Sequence, residues 1–240
     1  MDEIRQLDIG CEPPFSFGND VYALTTQGSY SYLITGDSSG LIIDSGFGAV
    51  DVKAVAQTIT DKELFLVNTH GHNDHIGCDN LFEKVFAHSL ETRKVSRKNS
   101  NIVKIKEGFV FDLGNRTIEV IELPGHTPGG IALLDKKYGI LFCGDMVSAR
   151  PLFLQFEYSD LNDYIRSMDK ILQMETVIKH LFCCHGTAVL PLSQAKETRD
   201  LAKLLVSGAE VLSEPVHLET EDGEYEVKLY QYGNAKIYYN

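Results

Sequence analysis

The sequence predicts a mixed α/β fold in one globular unit spanning residues 1–240. Short apolar runs with strand-like alternation fill the first half of the chain, and two long segments with helical spacing follow in the second half. Apolar residues make up 43% of the chain and charged residues 23%, a balance that allows a sizeable core. Since no Pro/Gly/Ser-rich stretch marks a boundary, we expect a single domain.

The first half is predicted to be rich in strands. Residues 21–46 alternate between apolar and polar positions and are interrupted by turn glycines, which indicates three strands. Residues 63–70, ELFLVNTH, form a continuous apolar run with a polar end, as in a buried strand that presents side chains at its carboxyl end. A helix is expected before this strand, a helix and a strand around residues 81–88, and strand pairs within 108–125 and 129–145.

The second half is predicted to contain two amphipathic helices. Residues 159–174 have helical apolar spacing after the capping pair Ser159 and Asp160. Residues 191–208 repeat this pattern and end at Gly208, while the apolar run at 178–186 between them is typical of another buried strand. The tail from residue 216 onward returns to strand-like alternation.

Charge and composition exclude several classes of partner. The formal net charge of −12 would repel a polyanion, so nucleic acid is not expected to bind. The first residues are acidic and lack a signal-peptide core, and no apolar run approaches the roughly 18 residues of a membrane span. We therefore expect a cytoplasmic protein that acts on a small molecule and has no membrane partner.

The five cysteines contain no CxxC pair and are odd in number. This pattern argues against a disulfide framework and against a zinc site built from thiolates. We expect the cysteines to be small buried apolar residues.

A dense group of metal-binding residue types follows the buried strand at 63–70. The segment THGHNDHIG places His70, His72, Asp74 and His75 within six residues. In an extended chain, residues two apart point to the same side, so His70 and His72 can share one ion while Asp74 and His75 reach a second. Imidazoles combined with a carboxylate are a recurrent set of metal ligands.

Three further candidate ligands also follow short strands. They are His126 in PGHTPGG, Asp145 in LFCGD and His185 in HLFCCHG. Each is a weak signal alone, but together with the first group they predict one metal site. A ligand set of nitrogen and oxygen atoms suits zinc and also accepts iron or manganese.

These motifs, in this order, resemble those of the metallo-β-lactamase-fold superfamily over about residues 20–190. The resemblance implies a four-layer αβ/βα sandwich with a metal site at one edge between two sheets, and residues 191–240 are expected to complete that sandwich. It also implies two zinc ions. The first would be held by His70, His72 and His126, the second by Asp74, His75 and His185, with Asp145 bridging both.

The resemblance also narrows the branch of the superfamily. Asp145 stands where the commonest type of antibiotic-hydrolysing enzyme carries cysteine, so the chain is closer to the glyoxalase II, lactonase and thioesterase-like members. The strand-like tail differs from the helical C-terminal region with which glyoxalase II helps to bind glutathione, and a glutathione thioester is therefore not favoured.

The expected activity is hydrolysis of a small ester, thioester or lactone at a dinuclear zinc centre. A hydroxide shared by two ions would attack the carbonyl carbon, and Asp74 would orient it while also serving as a ligand. One alternative is a mononuclear non-haem iron enzyme resembling the persulfide dioxygenases, with two histidines and an aspartate. A second is a metal-binding or partner-binding protein without catalysis.

Residues around the metal motifs are candidates for supporting roles. Asp44 ends the strand LIIDSG and could orient a metal-bound imidazole such as His70, although it could also cap a turn. Thr69 is expected to be structural.

Large side chains after Asp145 are candidates for the substrate pocket, with core packing as the alternative. They are Leu152, Phe153, Phe156 and Tyr158, and Arg150 could pair with a substrate carboxylate. Six of the 22 basic residues fall within 93–106, which is either a solvated face or an anion-binding segment.

Overall fold

The computed structural model describes residues 14–25, 28–220 and 223–240. Its first sheet has seven strands paired in chain order. They are β1 (Phe15–Gly18), β2 (Val21–Ala23), β3 (Tyr32–Thr35), β4 (Ser39–Ile43), β5 (Glu63–Val67), β6 (Val85–His88) and β7 (Ile102–Ile105). Strands β1 to β4 pair antiparallel and β4 to β7 pair parallel. Helices α1 (Val52–Gln57) and α2 (Thr92–Val95) lie in the connections of the parallel part.

The second sheet has six strands. They are β8 (Val110–Asp112), β9 (Thr117–Glu122), β10 (Ile131–Asp135), β11 (Ile140–Phe142), β13 (His180–Phe182) and β14 (Val189–Leu190), in the order β14-β13-β11-β10-β9-β8. Neighbouring strands pair antiparallel except β11 and β13, which are parallel because helix α3 (Leu161–Gln173) connects them. Helix α4 (Leu192–Ser207) follows β14.

Alternation along the central strands produces four layers. In β4, Ile42 faces outward and packs with Val52 of α1 in one apolar cluster. Its neighbour Ile43 points to the opposite face, where it joins a cluster shared by the two sheets that includes Phe142. The outer face of the second sheet packs on α3 and α4 through residues such as Leu141. The predicted αβ/βα sandwich is confirmed.

The helix ends follow the predicted capping chemistry. The Asp160 carboxylate accepts a hydrogen bond from the backbone N–H of Asp163 at the start of α3. Helix α4 ends at Gly208, whose φ of +71° is a left-handed conformation that glycine adopts without steric cost.

Two segments of the first half differ from the sequence-based expectation. Of the helix and the strand expected around residues 81–88, the helix is a single 3-10 turn, Asp79–Leu81, and the strand is β6. The basic segment 93–106 contains part of α2 and all of β7.

The tail strands belong to neither main sheet. They form a third, four-stranded sheet in the order β12-β17-β16-β15, made of β12 (Leu152–Phe153), β15 (Ser213–Thr220), β16 (Gly223–Tyr232) and β17 (Ala235–Tyr239). Strand β17 pairs parallel with β12, so this sheet joins the loop that follows Asp145. Helix α4 packs on the outer face of the second sheet, and Ala235 and Ile237 of β17 are buried in the same apolar cluster. That residues 191–240 complete the sandwich stays a prediction.

The described cysteines are buried, as expected from the sequence. Cys78, Cys143, Cys183 and Cys184 are buried and free, while Cys11 lies outside the described residues. None of the helices in the described part of the chain combines the length and the apolar character needed to cross a membrane.

Candidate metal centre

The loops that follow β5, β9, β11 and β13 meet at one edge of the sandwich and bring all seven predicted ligands together. Strand β5 in the first sheet and strand β11 in the second both end at this edge. The polar residues at these strand ends lie here because a strand interior buried in the core excludes them.

The first cluster consists of three imidazoles and a carboxylate. His72 Nδ1 lies 3.0 Å from His70 Nε2 and 3.0 Å from His126 Nε2. Asp145 Oδ2 lies 3.7 Å from His126 Nε2. One ligand atom from each residue falls within 4.8 Å of the others, so these four side chains could hold one metal ion.

Burial keeps the histidines of this cluster neutral. Burial and the neighbouring imidazoles hold the pKa of His70 and of His72 well below the usual range. Burial also lowers the pKa of His126, in spite of nearby Asp145. A neutral imidazole presents the lone pair that a metal ion requires.

The second cluster is richer in carboxylate. Asp74 Oδ2 lies 3.2 Å from His75 Nε2 and 3.1 Å from His185 Nε2. Asp145 Oδ1 lies 3.4 Å and 3.2 Å from the same two nitrogens. Asp145 therefore faces the second cluster with one oxygen and the first cluster with the other.

Charge pairing dominates the pKa values of the second cluster. Burial disfavours the charged form of His185, but Asp145 and Asp74 outweigh this effect and raise its pKa to about 10. Burial likewise opposes charge on His75, while Asp74 and Asp145 raise its pKa well above the usual range. Burial would raise the pKa of Asp74 and Asp145, but the two imidazoles hold both values well below normal.

Two orphaned atoms show that these residues fit a bound cation. His75 Nε2 and Asp145 Oδ1 are buried and have no hydrogen-bond partner among the described residues. A buried polar atom without a partner costs on the order of 1–3 kcal/mol. Both atoms face the centre of the second cluster, where a divalent ion would satisfy them together.

Asp44 supports the site through hydrogen bonds to Thr69 and His75. Its backbone has a φ of +60°, which is uncommon for a residue other than glycine and directs its carboxylate back toward the ligands. It accepts hydrogen bonds from the backbone N–H and the hydroxyl of Thr69, at 2.7 and 2.8 Å.

The imidazole that Asp44 contacts is His75, at 2.8 Å from Nδ1, and not His70. Asp44 thus contacts an imidazole of the predicted ligand set, but not that of His70, the example given, because the Thr69 hydroxyl lies between Asp44 and His70, 3.1 Å from His70 Nδ1. Thr69 thereby links Asp44 to the first cluster. Its position next to His70 in the sequence gave no sign of this role.

A cavity of about 630 Å³ opens over both clusters. The predicted pocket residues Arg150, Leu152, Phe153 and Phe156 line it. The lining of the cavity as a whole is mainly apolar, and Phe47 and Pro151 contribute to it. Arg150 is exposed and is positioned to meet an anionic group of a ligand.

Tyr158 does not line this cavity, in contrast to the sequence-based expectation. Its ring stacks on Phe156 at 5.1 Å between centroids, and its hydroxyl lies 2.8 Å from His72 Nε2. The hydroxyl also accepts a hydrogen bond from Lys94 Nζ at 3.0 Å. These contacts turn the Tyr158 side chain toward a metal-ligand candidate and away from the substrate space.

The basic segment 93–106 contributes one residue to this arrangement, Lys94. Arg93, Arg97 and Lys98 of the same segment are exposed, as on a solvated face. An anion-binding role for the segment stays a prediction.

The matched family decides the identification. The family model described as the metallo-beta-lactamase superfamily matches residues 24–185, which include all seven clustered ligands. The chain belongs to the metallo-beta-lactamase superfamily.

Superfamily relatives of this chain include named hydrolases. An acyl-coenzyme A thioesterase MBLAC2 from Gallus gallus is 28% identical over 185 residues, which are 60% of this chain and 66% of the relative. A hydroxyacylglutathione hydrolase from Francisella tularensis subsp. tularensis (strain WY96-3418) is 28% identical over 156 residues, 63% of this chain and 60% of the relative. The chain thus spans 60–66% of the length of these two relatives. A beta-lactamase-like protein 2 homolog from Caenorhabditis elegans is 24% identical over 92% of this chain and 80% of the relative.

Solved structures of the superfamily share the fold. A metallo-beta-lactamase from Pontibacter korlensis has a TM-score of 0.66 at 19% identity, covering 79% of this chain and 97% of that chain. The structure of TMB-1 has a TM-score of 0.66 at 17% identity, covering 86% and 100% of the two chains. Likeness at this level of identity concerns the fold alone.

The part of the chain beyond the superfamily match also reaches the cavity. Leu218, Glu219 and Thr220 at the end of β15 line it, and Tyr225 of β16 packs edge-on against Phe156 at 5.6 Å. Sequence reasoning missed this wall, because strand alternation in the tail gives no sign of what the hairpin covers.

Proposed function

We propose that this superfamily member is a dinuclear metallohydrolase that cleaves a small acyl thioester. The observation that carries the proposal is the pair of clusters joined by Asp145, whose two oxygens face different clusters. A single shared carboxylate is the arrangement expected where two cations lie side by side.

The ligand assignment follows the two clusters. His70, His72 and His126 would hold the first ion, Asp74, His75 and His185 the second, and Asp145 would bridge them. The donors are nitrogen and oxygen only, which favours zinc. When bound, such ions polarise a carbonyl group and bring the pKa of water near neutrality.

Asp74 is proposed to orient the attacking water in addition to its role as a ligand. Its pKa is held well below the usual range by His75 and His185 in spite of burial, so the carboxylate stays ionised at neutral pH. Its Oδ2 faces the two imidazoles, and an ionised carboxylate can accept hydrogen bonds on both of its oxygens.

The cavity supports an acyl substrate. Its walls are mainly apolar around Phe47, Phe153 and Leu218, which suits a hydrocarbon acyl group, and Arg150 can pair with an anionic group on the leaving part. The relative named as an acyl-coenzyme A thioesterase favours a thioester among the generic substrates. The strands at the tail differ from a helical glutathione-binding region, so we favour an acyl-coenzyme A over a glutathione thioester.

The mononuclear iron alternative would use two histidines and one aspartate. It would leave the second cluster, with its orphaned His75 Nε2, without a role. A non-catalytic metal-binding protein would have no need for the cavity that opens over the clusters.

The test is a substrate survey on chelated and reconstituted protein. Acyl-coenzyme A, acyl-glutathione, simple ester and lactone substrates are assayed with zinc, iron or manganese, in air and without oxygen. We expect zinc-dependent hydrolysis of acyl-coenzyme A that persists without oxygen. Turnover confined to iron-loaded protein in the presence of oxygen would contradict the proposal.

A matched pair of histidine variants serves as the control. His126→Ala removes a cluster residue, whereas His217→Ala removes an exposed histidine on β15 that pairs with Glu226. We expect the first to lose the ion of the first cluster together with turnover, and the second to retain both ions. Equal activity of the two variants would contradict the ligand assignment.

A further inference from the structure

The carboxylate of Glu91, directly before α2, lies between the two loops that carry the histidines of the first cluster. Its Oε2 accepts a hydrogen bond from the backbone N–H of Gly71 at 3.0 Å, and its Oε1 accepts one from the backbone N–H of Gly129 at 2.9 Å. Gly71 separates His70 from His72, and Gly129 follows His126 by three residues. One side chain thus connects both loops.

Burial makes this connection strong. Glu91 is 3% exposed, and a buried carboxylate is stable only when its oxygens are well hydrogen-bonded. Hydrogen bonds to an ionised acceptor are about twice as strong as neutral ones. Movement of either loop away from the other would leave one carboxylate oxygen buried without a partner.

The packing around Glu91 leaves no room for the loops to shift toward it. A Cβ atom added at Gly71 would lie 2.6 Å from Lys94 Cβ and 3.0 Å from Glu91 Oε2. A Cβ atom at Gly129 would lie 2.7 Å from His88 Nδ1 and 2.9 Å from Glu91 Cγ. Both glycines therefore permit a close approach of the backbone to the carboxylate.

The second cluster is supported by other groups. His75 contacts Asp44, and His185 Nδ1 lies 3.0 Å from the backbone carbonyl of Gly28. Neither of these supports involves Glu91. Loss of the Glu91 carboxylate should therefore affect the two clusters unequally.

We propose that Glu91 is a positioning residue that sets the metal affinity of the first cluster while leaving that of the second unchanged. The inference rests on the proposed dinuclear function. Glu91 acts through the backbone N–H groups of Gly71 and Gly129, to which its carboxylate is hydrogen-bonded. Partners outside the ligand shell typically change metal affinity by roughly 10–100-fold when they are lost.

The test measures each cluster in isolation in the full-length protein. His185→Ala leaves the first cluster intact, and His126→Ala leaves the second intact. Glu91→Gln is added to each background, and zinc affinity is measured by competition with a chromophoric chelator after metal removal. We expect Glu91→Gln to weaken zinc binding about 10-fold or more in the His185→Ala background and less than twofold in the His126→Ala background.

A second variant perturbs the contact between Glu91 and Gly129 by changing the glycine instead of the carboxylate. Gly129→Ala introduces a methyl group against Glu91 without altering the carboxylate, and it should weaken the first cluster in the same direction. Far-UV circular dichroism and the unfolding midpoint of the metal-free proteins report folding. Asp51→Ala is the control for general destabilisation. The Asp51 carboxylate caps the N-terminus of α1 by accepting a hydrogen bond from the backbone N–H of Ala54, and the substitution removes this cap.

The outcomes separate the inference from the function on which it rests. Wild-type protein that binds fewer than two zinc ions contradicts the proposed function. Wild-type protein that binds two, with Glu91→Gln weakening both clusters equally or neither, overturns the inference alone. Asp51→Ala weakening the first cluster as much as Glu91→Gln would also overturn it.

Discussion

The two clusters of the metal centre differ in how their charges are balanced. The first has three imidazoles kept neutral by burial and one carboxylate, and the second has two carboxylates against two imidazoles with raised pKa values. The second cluster is also the more open, since the side chains of His185 and Asp74 are 22% and 17% exposed. The first cluster therefore offers a preformed set of lone pairs, whereas the second must exchange protons for its ion.

The largest loss of turnover and of bound metal is expected from Asp145→Ala, because this substitution removes a carboxylate from both clusters at once. A loss of several kcal/mol of transition-state stabilisation lowers turnover by about a thousandfold or more. Metal content, measured by elemental analysis, should fall along with kcat while the far-UV spectrum is retained. Asp145→Ala with wild-type turnover at wild-type metal content would remove the basis for a shared carboxylate.

The next largest loss of bound metal is expected when a ligand that belongs to only one cluster is removed. Such a substitution distinguishes the two clusters. The His126→Ala protein should lose the ion of the first cluster and the His185→Ala protein the ion of the second. Each variant should retain about one ion per chain. The loss of zinc affinity at the affected cluster should exceed the roughly 100-fold limit typical of outer partners. If either variant lost both ions, the clusters would form a single cooperative unit and the comparison would fail.

A smaller loss of zinc affinity is expected from Tyr158→Phe. This substitution removes the hydroxyl that lies 2.8 Å from His72 Nε2 and should weaken zinc binding at the first cluster about 10-fold. The matched control is Tyr30→Phe, which removes a hydroxyl that donates to the carbonyl of Gly186, next to His185.

Chelator competition in the single-cluster backgrounds measures both tyrosine variants. The two should act on opposite clusters. An identical response of both clusters to Tyr158→Phe would mean that the hydroxyl serves only general packing.

The smallest effect on turnover is expected from Asp79→Asn, beneath the second cluster. Asp79 Oδ1 accepts from Ser45 and Asn68, and the Asn68 amide also donates to the backbone carbonyl of His75. Burial raises the pKa of Asp79 to about 7, despite these hydrogen bonds.

The pH dependence of this variant follows from the raised pKa. The folded state binds the proton of Asp79 more tightly than the unfolded state, so its contribution to stability is complete below about pH 4 and is lost as the pH rises through 7. Asp79→Asn should therefore raise the unfolding free energy relative to wild type at pH 8 by roughly 1–3 kcal/mol, and give no such gain at pH 4. Denaturant unfolding of the metal-free proteins at both pH values measures the difference. A gain of equal size at pH 4 and pH 8 would exclude titration of Asp79 as the cause.

The ligand candidates could be predicted from the sequence because each one follows a short apolar strand. Strand ends are local features, and a sandwich brings the ends of several strands to one edge. His126 and His185 are 59 residues apart in the sequence, yet the strand context of each was sufficient to include both.

The supporting groups could not be predicted, because they depend on contacts between distant segments. The Tyr158 hydroxyl meets His72 across 86 positions, and no spacing rule relates them. Glu91 carries no signal at all, since its partners are backbone N–H groups of glycines. The tail was predicted as strands, but the pairing of β17 with β12 depends on tertiary packing that alternation does not reveal.

The central claim is that two ions bind in two separable clusters. Zinc stoichiometry tests it most directly, by elemental analysis and chelator competition on wild type, His126→Ala and His185→Ala. The expected result is near two ions per chain for wild type and near one for each variant. One ion or fewer in wild type, with no further loss in His185→Ala, would contradict the claim and leave a mononuclear centre at the first cluster.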